Sequence, residues 1–472
     1  MALIRGMVLG LSLAMPFVVR AATWTGADGV RLEYKVSGDG ATITGCWLPY
    51  NFQGGLEIPA ELGSCPVRSI KSWAFSGCSG LTSVTIPVSV TAIDGDAFED
   101  CSGLMSFTVA ADNPNYKSVN RLLLSKDGRT LVSGVNGRVT IPEGVTVIGD
   151  FAFFHRSGLT SVTIPASVTG IGWGAFSDCS GLTSFAVAAD NPNYKSVNRL
   201  LLSKDGRTLV SGVNGRVTIP EGVTEIGAYA FYGYSGLTSV TIPASVTEIG
   251  YLAFWGCGGL TAVVIPNSVT SIEWGAFLGC GSLKSLTIPD SVTAIEGAAF
   301  YCCFGLTSVT MAEGVTVIGD DTFVGCTSLK SVTIPASVAS IGSCAFHRCA
   351  ELTSFTVAAD NPNYKSVNGH LLTKDGRTLL RGVNGVNGRV TIPEGVTVIG
   401  DSAFYGCSGL KSVTIPEGVT AIAGAFYGCS SLTSVTIPAS VTEIGDRAFE
   451  GCCSLTSVTI PASVTAMANG AF

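Results

Sequence analysis

Charge is scarce in this chain. Asp, Glu, Lys and Arg make up only 13% of 472 residues, histidine occurs three times, and the net charge is −7. No run of Lys and Arg stands beside aromatic residues, so the electrostatic footprint and the stacking platform of a nucleic-acid binder are both missing. His155, His347 and His370 fall in separate segments and read as surface residues. They offer no Ser-His-Asp or Cys-His arrangement, and without paired CxxC motifs they offer no zinc set. No D-x-D-x-D spacing marks a calcium loop, and no P-loop or dinucleotide fingerprint is present. The sequence therefore implies no enzyme, no cofactor and no metal. Beyond residue 22 no apolar run is long enough to cross a bilayer. With 46% hydrophobic residues, the chain is also too apolar for disorder.

The first residues have their own character. Arg5 precedes the apolar stretch "GMVLGLSLAMPFVV", and Val19 and Ala21 satisfy the small-residue rule for cleavage. Residues 1–21 read as a signal peptide, which places the mature chain outside the cell, secreted or at a surface.

What the chain has in abundance is repetition. "LTSVTIPVSVTAIDGDAFEDCSG" begins at Leu81, "LTSVTIPASVTGIGWGAFSDCSG" at Leu159 and "LTSVTIPASVTEIGYLAFWGCGG" at Leu237. Further units of this 23-residue period begin at Leu260, Leu283, Leu306, Leu329, Leu410, Leu432 and Leu455, and variants at Asn136, Asn214 and Asn387. A fixed period of this size is the mark of a solenoid, whose units bury their apolar faces only against one another. Within a unit, Leu, Val and Ile at positions 1, 4 and 6 alternate like a strand that ends at Pro in position 7. Val at 10 and Ile at 13 suggest a second, shorter strand. Ala at 17, Phe at 18 and Cys at 21 recur at helical spacing and predict short outer helical turns. The expected class is α+β: a right-handed coil of leucine-rich-repeat type with an inner parallel sheet over 56–472, preceded by a small β cap over 22–55.

Three longer blocks, 104–135, 182–213 and 352–386, replace the helical half by a shared phrase. "DNPNYKSVNRLLLSKDGRTLV" runs from Asp112 and again from Asp190, and "DNPNYKSVNGHLLTKDGRTLL" runs from Asp360. Apolar runs flank Lys-Asp-Gly, a strong hairpin signal, so each block predicts a coil that carries a β-hairpin.

Sixteen cysteines in an exported chain suggest disulfides. Eleven of them, however, lie three residues after the repeat phenylalanine, from Cys78 and Cys101 to Cys429 and Cys452. These read as a column of small buried thiols. Arg156 and Tyr234 stand where two units lack the cysteine. Cys46 and Cys65, outside the column, are the candidate disulfide.

The unit "LTSVTIPASVTEIGDRAFEGCCS" from Leu432 and the "NPNYKSV…SKDGRTL" blocks resemble the BspA-like leucine-rich repeat family of bacterial and protozoan surface proteins. The resemblance implies a secreted or surface-displayed solenoid used in adhesion and in binding extracellular proteins or glycans, without catalysis. A structural, self-assembling surface coat is the alternative, with self-association through an uncapped C-terminal end.

For a partner, the inner strands offer Ser83 and Thr85, Ser161 and Thr163, Ser239 and Thr241, a polar row poor in anchors. The outer positions gather Tyr229, Tyr232, Tyr234, Tyr251, Trp255, Trp274 and Tyr301 over four consecutive units. Interface hot spots favour such residues, so these seven form the candidate partner-binding patch.

Overall fold

The computed structural model describes residues 21–385 and 387–472. The signal peptide expected over residues 1–21 lies outside the described residues apart from Ala21. Two compact units are present, Met1–Gly128 and Arg129–Phe472.

In the first unit, strands Ala21–Thr25, Arg31–Ser37 and Gly40–Trp47 run antiparallel. The third pairs in parallel with Cys65–Ile70, and that strand with Ala92–Ile93. A separate parallel ladder joins Gly54–Glu57, Leu81–Ile86 and Ser106–Val109. Leu32, Ala41, Ile43, Val84 and Ile86 are fully buried, as alternation along a half-buried strand requires.

The second unit winds the 23-residue repeat around two ladders. The first contains Ser285–Ile288, Ser308–Met311, Ser331–Ile334 and Ser354–Val357, parallel and in register. In the first three of these the Leu, Val, Ile and Met side chains are buried and the threonines between them are exposed. The second ladder is built from two-residue strands, including Glu225–Ile226, Glu248–Ile249, Ser271–Ile272 and Ala294–Ile295.

The expected outer helical turns are not formed. Among the described residues there is no helix, and the class is corrected from α+β to an all-β solenoid of the leucine-rich-repeat kind. The cause is where the N–H groups go. Leu252, Phe254 and Gly256 donate to the carbonyls of Trp274, Ala276 and Leu278 in the next winding, at 3.1, 2.7 and 2.7 Å. The N–H groups between them, on Ala253, Trp255 and Cys257, close tight turns on Gly250, Leu252 and Phe254. An α-helix needs every N–H to reach four residues back along its own axis; here every second one points along the stack. The backbone also enters the left-handed region at Leu252 (φ 52°) and Gly256 (φ 66°), which interrupts any right-handed turn. Ala, Phe and Cys still face inward, so the apolar spacing imitates a helix.

Stacking follows from the pitch. Phe231, Phe254, Phe277, Phe300 and Phe323 lie ring over ring, with successive centroids 4.9, 5.0, 5.3 and 5.6 Å apart and planes within 8°. That spacing is close to the strand separation of a sheet and within the favourable range for offset aromatic pairs. The cysteines serve as donors. Cys257, Cys280, Cys303 and Cys326 each direct Sγ at the carbonyl of the phenylalanine one winding earlier, at 3.1–3.3 Å. Each such carbonyl already accepts one backbone N–H, so the thiol occupies its second lone pair, which an alanine could not do. Burial pushes the Cys303 and Cys349 thiols up to about 12, which keeps them protonated.

The block 182–213 begins with Ser184–Val187, which pairs in parallel with Leu159–Ile164 in a separate three-stranded sheet. It then forms three antiparallel strands, Tyr194–Val197, Leu200–Ser203 and Thr208–Ser211, and the last joins the second ladder beside Glu225–Ile226. One more hairpin is present than the Lys-Asp-Gly signal indicates. Asn198 and Arg199 turn it with φ of 52° and 69°, the paired positive values of a type I′ turn. The block 352–386 repeats the arrangement with Tyr364–Val367, His370–Thr373 and Thr378–Arg381.

The repeated phrase owes its second letter to a buried staple. Asn191 is fully buried; its Nδ2 donates to Pro165 O and Val168 O at 2.7 and 2.9 Å, and its Oδ1 accepts from the N–H groups of Asn193 and Tyr194. Asn113 and Asn361 make the same four bonds in their own blocks. Every donor and acceptor of the amide is used. Asn191→Ala is expected to destabilise the second unit by about 3 kcal/mol. Asn191→Asp should cost more, since a carboxylate would face two carbonyls. Asn193→Ala, at an exposed site, should cost less than about 1 kcal/mol. Urea unfolding, with hydrogen exchange at Leu200–Ser211, measures all three.

Candidate functional site

Most of the candidate aromatic residues meet on the outer turns of the second unit. Tyr232 stacks on Trp255 at 4.2 Å with planes 16° apart, and Tyr251 on Trp274 at 5.5 Å and 20°. Tyr229 bridges the two rows, 5.6 Å from both Tyr232 and Tyr251. Two rings outside the sequence candidates extend them. Trp173 lies 6.4 Å from Tyr229, and Phe154 lies 6.1 Å from Tyr232. Trp173 holds position 15 of its repeat, as Tyr251 and Trp274 do, so the same position code would have found it. A hairpin block separates it in sequence from the other four repeats and hides the continuity. Trp173, Tyr251 and Trp274 are 70%, 37% and 42% exposed. Tyr301 is half-buried and is joined to the rows by no ring contact among the described residues.

Tyr234 does not belong to this surface. It is 1% exposed, and its hydroxyl donates to Phe176 O at 3.0 Å and pairs with Ser211 Oγ at 3.1 Å. Burial raises its phenol far above the usual range, so it stays a donor. Its role follows from the hairpin block, which lacks the Phe-and-Cys turn. The next winding must reach across that gap, and a cysteine is too short. Arg156, likewise buried, spans the corresponding gap by donating to Gly134 O and Ser133 Oγ at 3.0 and 3.2 Å. At the third block the sizes are exchanged. Cys407 keeps its column place while Arg381, where the other blocks have serine, donates to the carbonyls of Ser402, Ala403 and Tyr405 at 3.0–3.1 Å. The two missing cysteines were visible in the sequence, and both follow a hairpin block.

Two of the three histidines are not at the surface. His347 is buried against Tyr405, ring centroids 5.0 Å apart, and His370 is 2% exposed and accepts the Val383 N–H on Nδ1 at 3.2 Å. His370 takes the place of Leu122 and Leu200, both fully buried, so the internal comparison already implied a core position. His155 is half-buried, with Nδ1 3.3 Å from an Asp178 carboxylate oxygen. Cys46 and Cys65 are both free thiols. Cys46 lies beside Cys78, whose Sγ is 3.9 Å from Cys46 O, whereas Cys65 pairs with Leu62 in a short antiparallel bridge. Among the described residues no group of His, Cys, Asp and Glu is placed to hold a metal ion, and no helix is long and apolar enough to cross a membrane.

Between the windings of Trp173 and Tyr229 the missing turn leaves a cleft of about 250 Å³, lined by Trp173, Ser177, Thr208, Ser211, Glu225 and Tyr229 among others. A cleft of about 300 Å³ opens at the third block, lined by Ser343, Cys344, His347, Arg381, Asp401 and Ser402 among others.

The buried histidines set a pH dependence. Burial, then the Arg381 and Arg348 charges, pushes His347 down to about 3; burial pushes His370 down to about 4. Unfolding lets both return to the ordinary value of 6.5, so the unfolded chain binds more protons below that pH. Their contribution to stability is complete above 6.5 and falls as the pH drops towards 4. His370→Leu is expected to flatten the stability curve of the second unit between those limits, by about 3 kcal/mol at the acid end. Chemical denaturation at stepped pH reads the slope, whatever the offset at pH 7.

A model of the BspA type leucine rich repeat region matches residues 58–120, 136–198, 214–326, 247–367 and 387–472. No curated protein matches the chain. Among solved structures, a leucine rich cell surface protein from Faecalibacterium prausnitzii A2-165 is 29% identical, with 77% of this chain and 87% of that one covered and a TM-score of 0.47. A leucine-rich repeat protein from Bacteroides ovatus is 24% identical over 92% of this chain and 94% of that one, with a TM-score of 0.39. The pneumococcal vaccine antigen PcpA is 17% identical over 95% and 98%, with a TM-score of 0.37. With the repeat matched over most of its length and its windings, ladders and phenylalanine column in view, the chain belongs to the BspA-type leucine-rich repeat family.

Proposed function

We propose that this protein is a binding and adhesion module displayed outside the cell, which engages a protein or glycan partner through the outer aromatic rows of its second unit and performs no chemistry on it. The carrying observation is that the rows exist without the backbone needing them. Position 15 is Trp173, Tyr251 and Trp274 in three windings but Asp150 and Asp320 in two others, and the same turn forms in all five. In the rows Trp173, Tyr251 and Trp274 stay exposed while Tyr229, Tyr232 and Trp255 are half-buried. Large amphipathic rings held rigid by their neighbours bind with little loss of side-chain freedom, which is why Trp and Tyr dominate interface hot spots. Display outside the cell is supported by the leader-like first residues and by the family.

The test is direct. Full-length protein and the triple variant Tyr232→Ala, Trp255→Ala, Trp274→Ala are compared on a glycan array and in capture from extracellular extracts. The variant is expected to lose binding by about tenfold or more, with an unchanged far-ultraviolet spectrum. Equal capture by both proteins would remove the aromatic rows from the function.

A further inference from the structure

We infer that the cleft left by the missing turn at the second hairpin block is a binding site for one neutral pyranose ring, such as the terminal sugar of a glycan. This rests on the reading of the outer aromatic rows as a contact surface and adds to it a ligand class and a place.

Size comes first. A volume of about 250 Å³ lies just below the ~300–1,000 Å³ of sites for drug-sized ligands, and suits a single six-membered ring. The lips are Trp173 and Tyr229, with centroids 6.4 Å apart and planes inclined by 56°. They offer apolar ring faces to a ligand that must itself have an apolar face, as a pyranose does on its C–H side. The lining also carries polar groups. Ser177 is 2% exposed and its Oγ has no hydrogen-bond partner. Glu225 is held by Thr208 Oγ1 at 3.1 Å, with further acceptor positions to spare. A buried hydroxyl left unpaired is costly, and one that can both donate and accept is matched by another hydroxyl.

Charge narrows the class. No Lys, Arg or His lines the cleft, so an anionic sugar or a phosphate would meet Glu225 without compensation. A cationic ammonium group, primary or quaternary, would bring no acceptor and leave the Ser177 hydrogen unmatched.

The third block supplies an internal comparison. Its cleft is built on the same repeat positions, with Ser343 for Trp173 and Ser402 for Tyr229. Tyr229 and Ser402 share a left-handed backbone, φ 61° and 58°. The scaffold therefore forms with serine at both lips, and the aromatic pair at the second block is not a folding requirement. For the same reason Trp173→Ser and Tyr229→Ser are expected to fold.

The experiment titrates the full-length protein with methyl β-glucopyranoside, methyl β-galactopyranoside and methyl α-mannopyranoside at millimolar concentration. Saturation-transfer NMR and tryptophan fluorescence are the readouts, and tetramethylammonium is the competing cationic probe. At least one hexoside is expected to bind, to be weakened about tenfold by Trp173→Ser, and to be further weakened by Ser177→Ala. Three results would each overturn the assignment: no hexoside binds, Trp173→Ser binds as tightly as the parent, or tetramethylammonium binds tighter than every hexoside and is lost in Glu225→Gln. These variants leave Trp255 and Trp274 in place. If the hexosides fail while the outer-row variant still loses its partner, only the cleft assignment falls.

Discussion

The whole second unit depends on the direction in which its outer turns spend their N–H groups. Had those groups closed on their own segment, each winding would carry a self-contained helical turn and could stand further from its neighbour. Instead Leu252, Phe254 and Gly256 bind the next winding, so adjacent turns are held at the spacing of strands in a sheet. That spacing makes the phenylalanine rings stack, brings each thiol to the preceding carbonyl, and lines up the outer aromatics. A single repeat has none of these partners, which is the physical reason such units occur only in series.

The hairpin blocks show what the array tolerates. Each removes an outer turn and with it one ring and one sulfur from the columns. Over the second block the windings on either side then meet across the gap, where Asp178 N reaches Tyr232 O at 2.7 Å. Glycine is needed where the shortened coil passes under the next phenylalanine, since a Cβ on Gly212 would lie 1.9 Å from the Phe231 ring. The remaining void takes one long polar side chain, supplied by the following winding at Arg156 and Tyr234 and by the block itself at Arg381. One rule, a small residue facing a large one, accounts for all three substitutions.

Much of this was legible in the letters. The period, both strand positions, the inward Leu, Val and Ile, the hairpin at Lys-Asp-Gly and the inert cysteine column follow from spacing and residue type alone. The outer turn was not, because Ala, Phe and Cys at 17, 18 and 21 present the same spacing whether N–H groups run within a helix or between windings. Only the left-handed residues Leu252 and Gly256 separate the two cases, and leucine gives no warning of that conformation. Tyr234 and His370 were misplaced for a related reason. Tyr234 reads as one of the outer aromatics and His370 as a surface histidine when each is taken by its own residue type rather than by the buried Cys or Leu it replaces in sister repeats. The clefts lay beyond reach because they are made by an absence, a turn omitted between two windings that sequence alone treats as separate copies.

The sulfur column carries a practical consequence. Cys179, Cys257, Cys280, Cys303, Cys326, Cys349 and Cys407 are shielded thiols that can react only as thiolates, and burial raises each of them, suppressing that form in the closed state. Alkylation at a given cysteine therefore requires its own stretch of the stack to part, and the rate at each site measures how often that happens. The second unit thus carries intrinsic gauges of local opening, one at each of these seven turns, readable by mass spectrometry from the mass of the alkyl group.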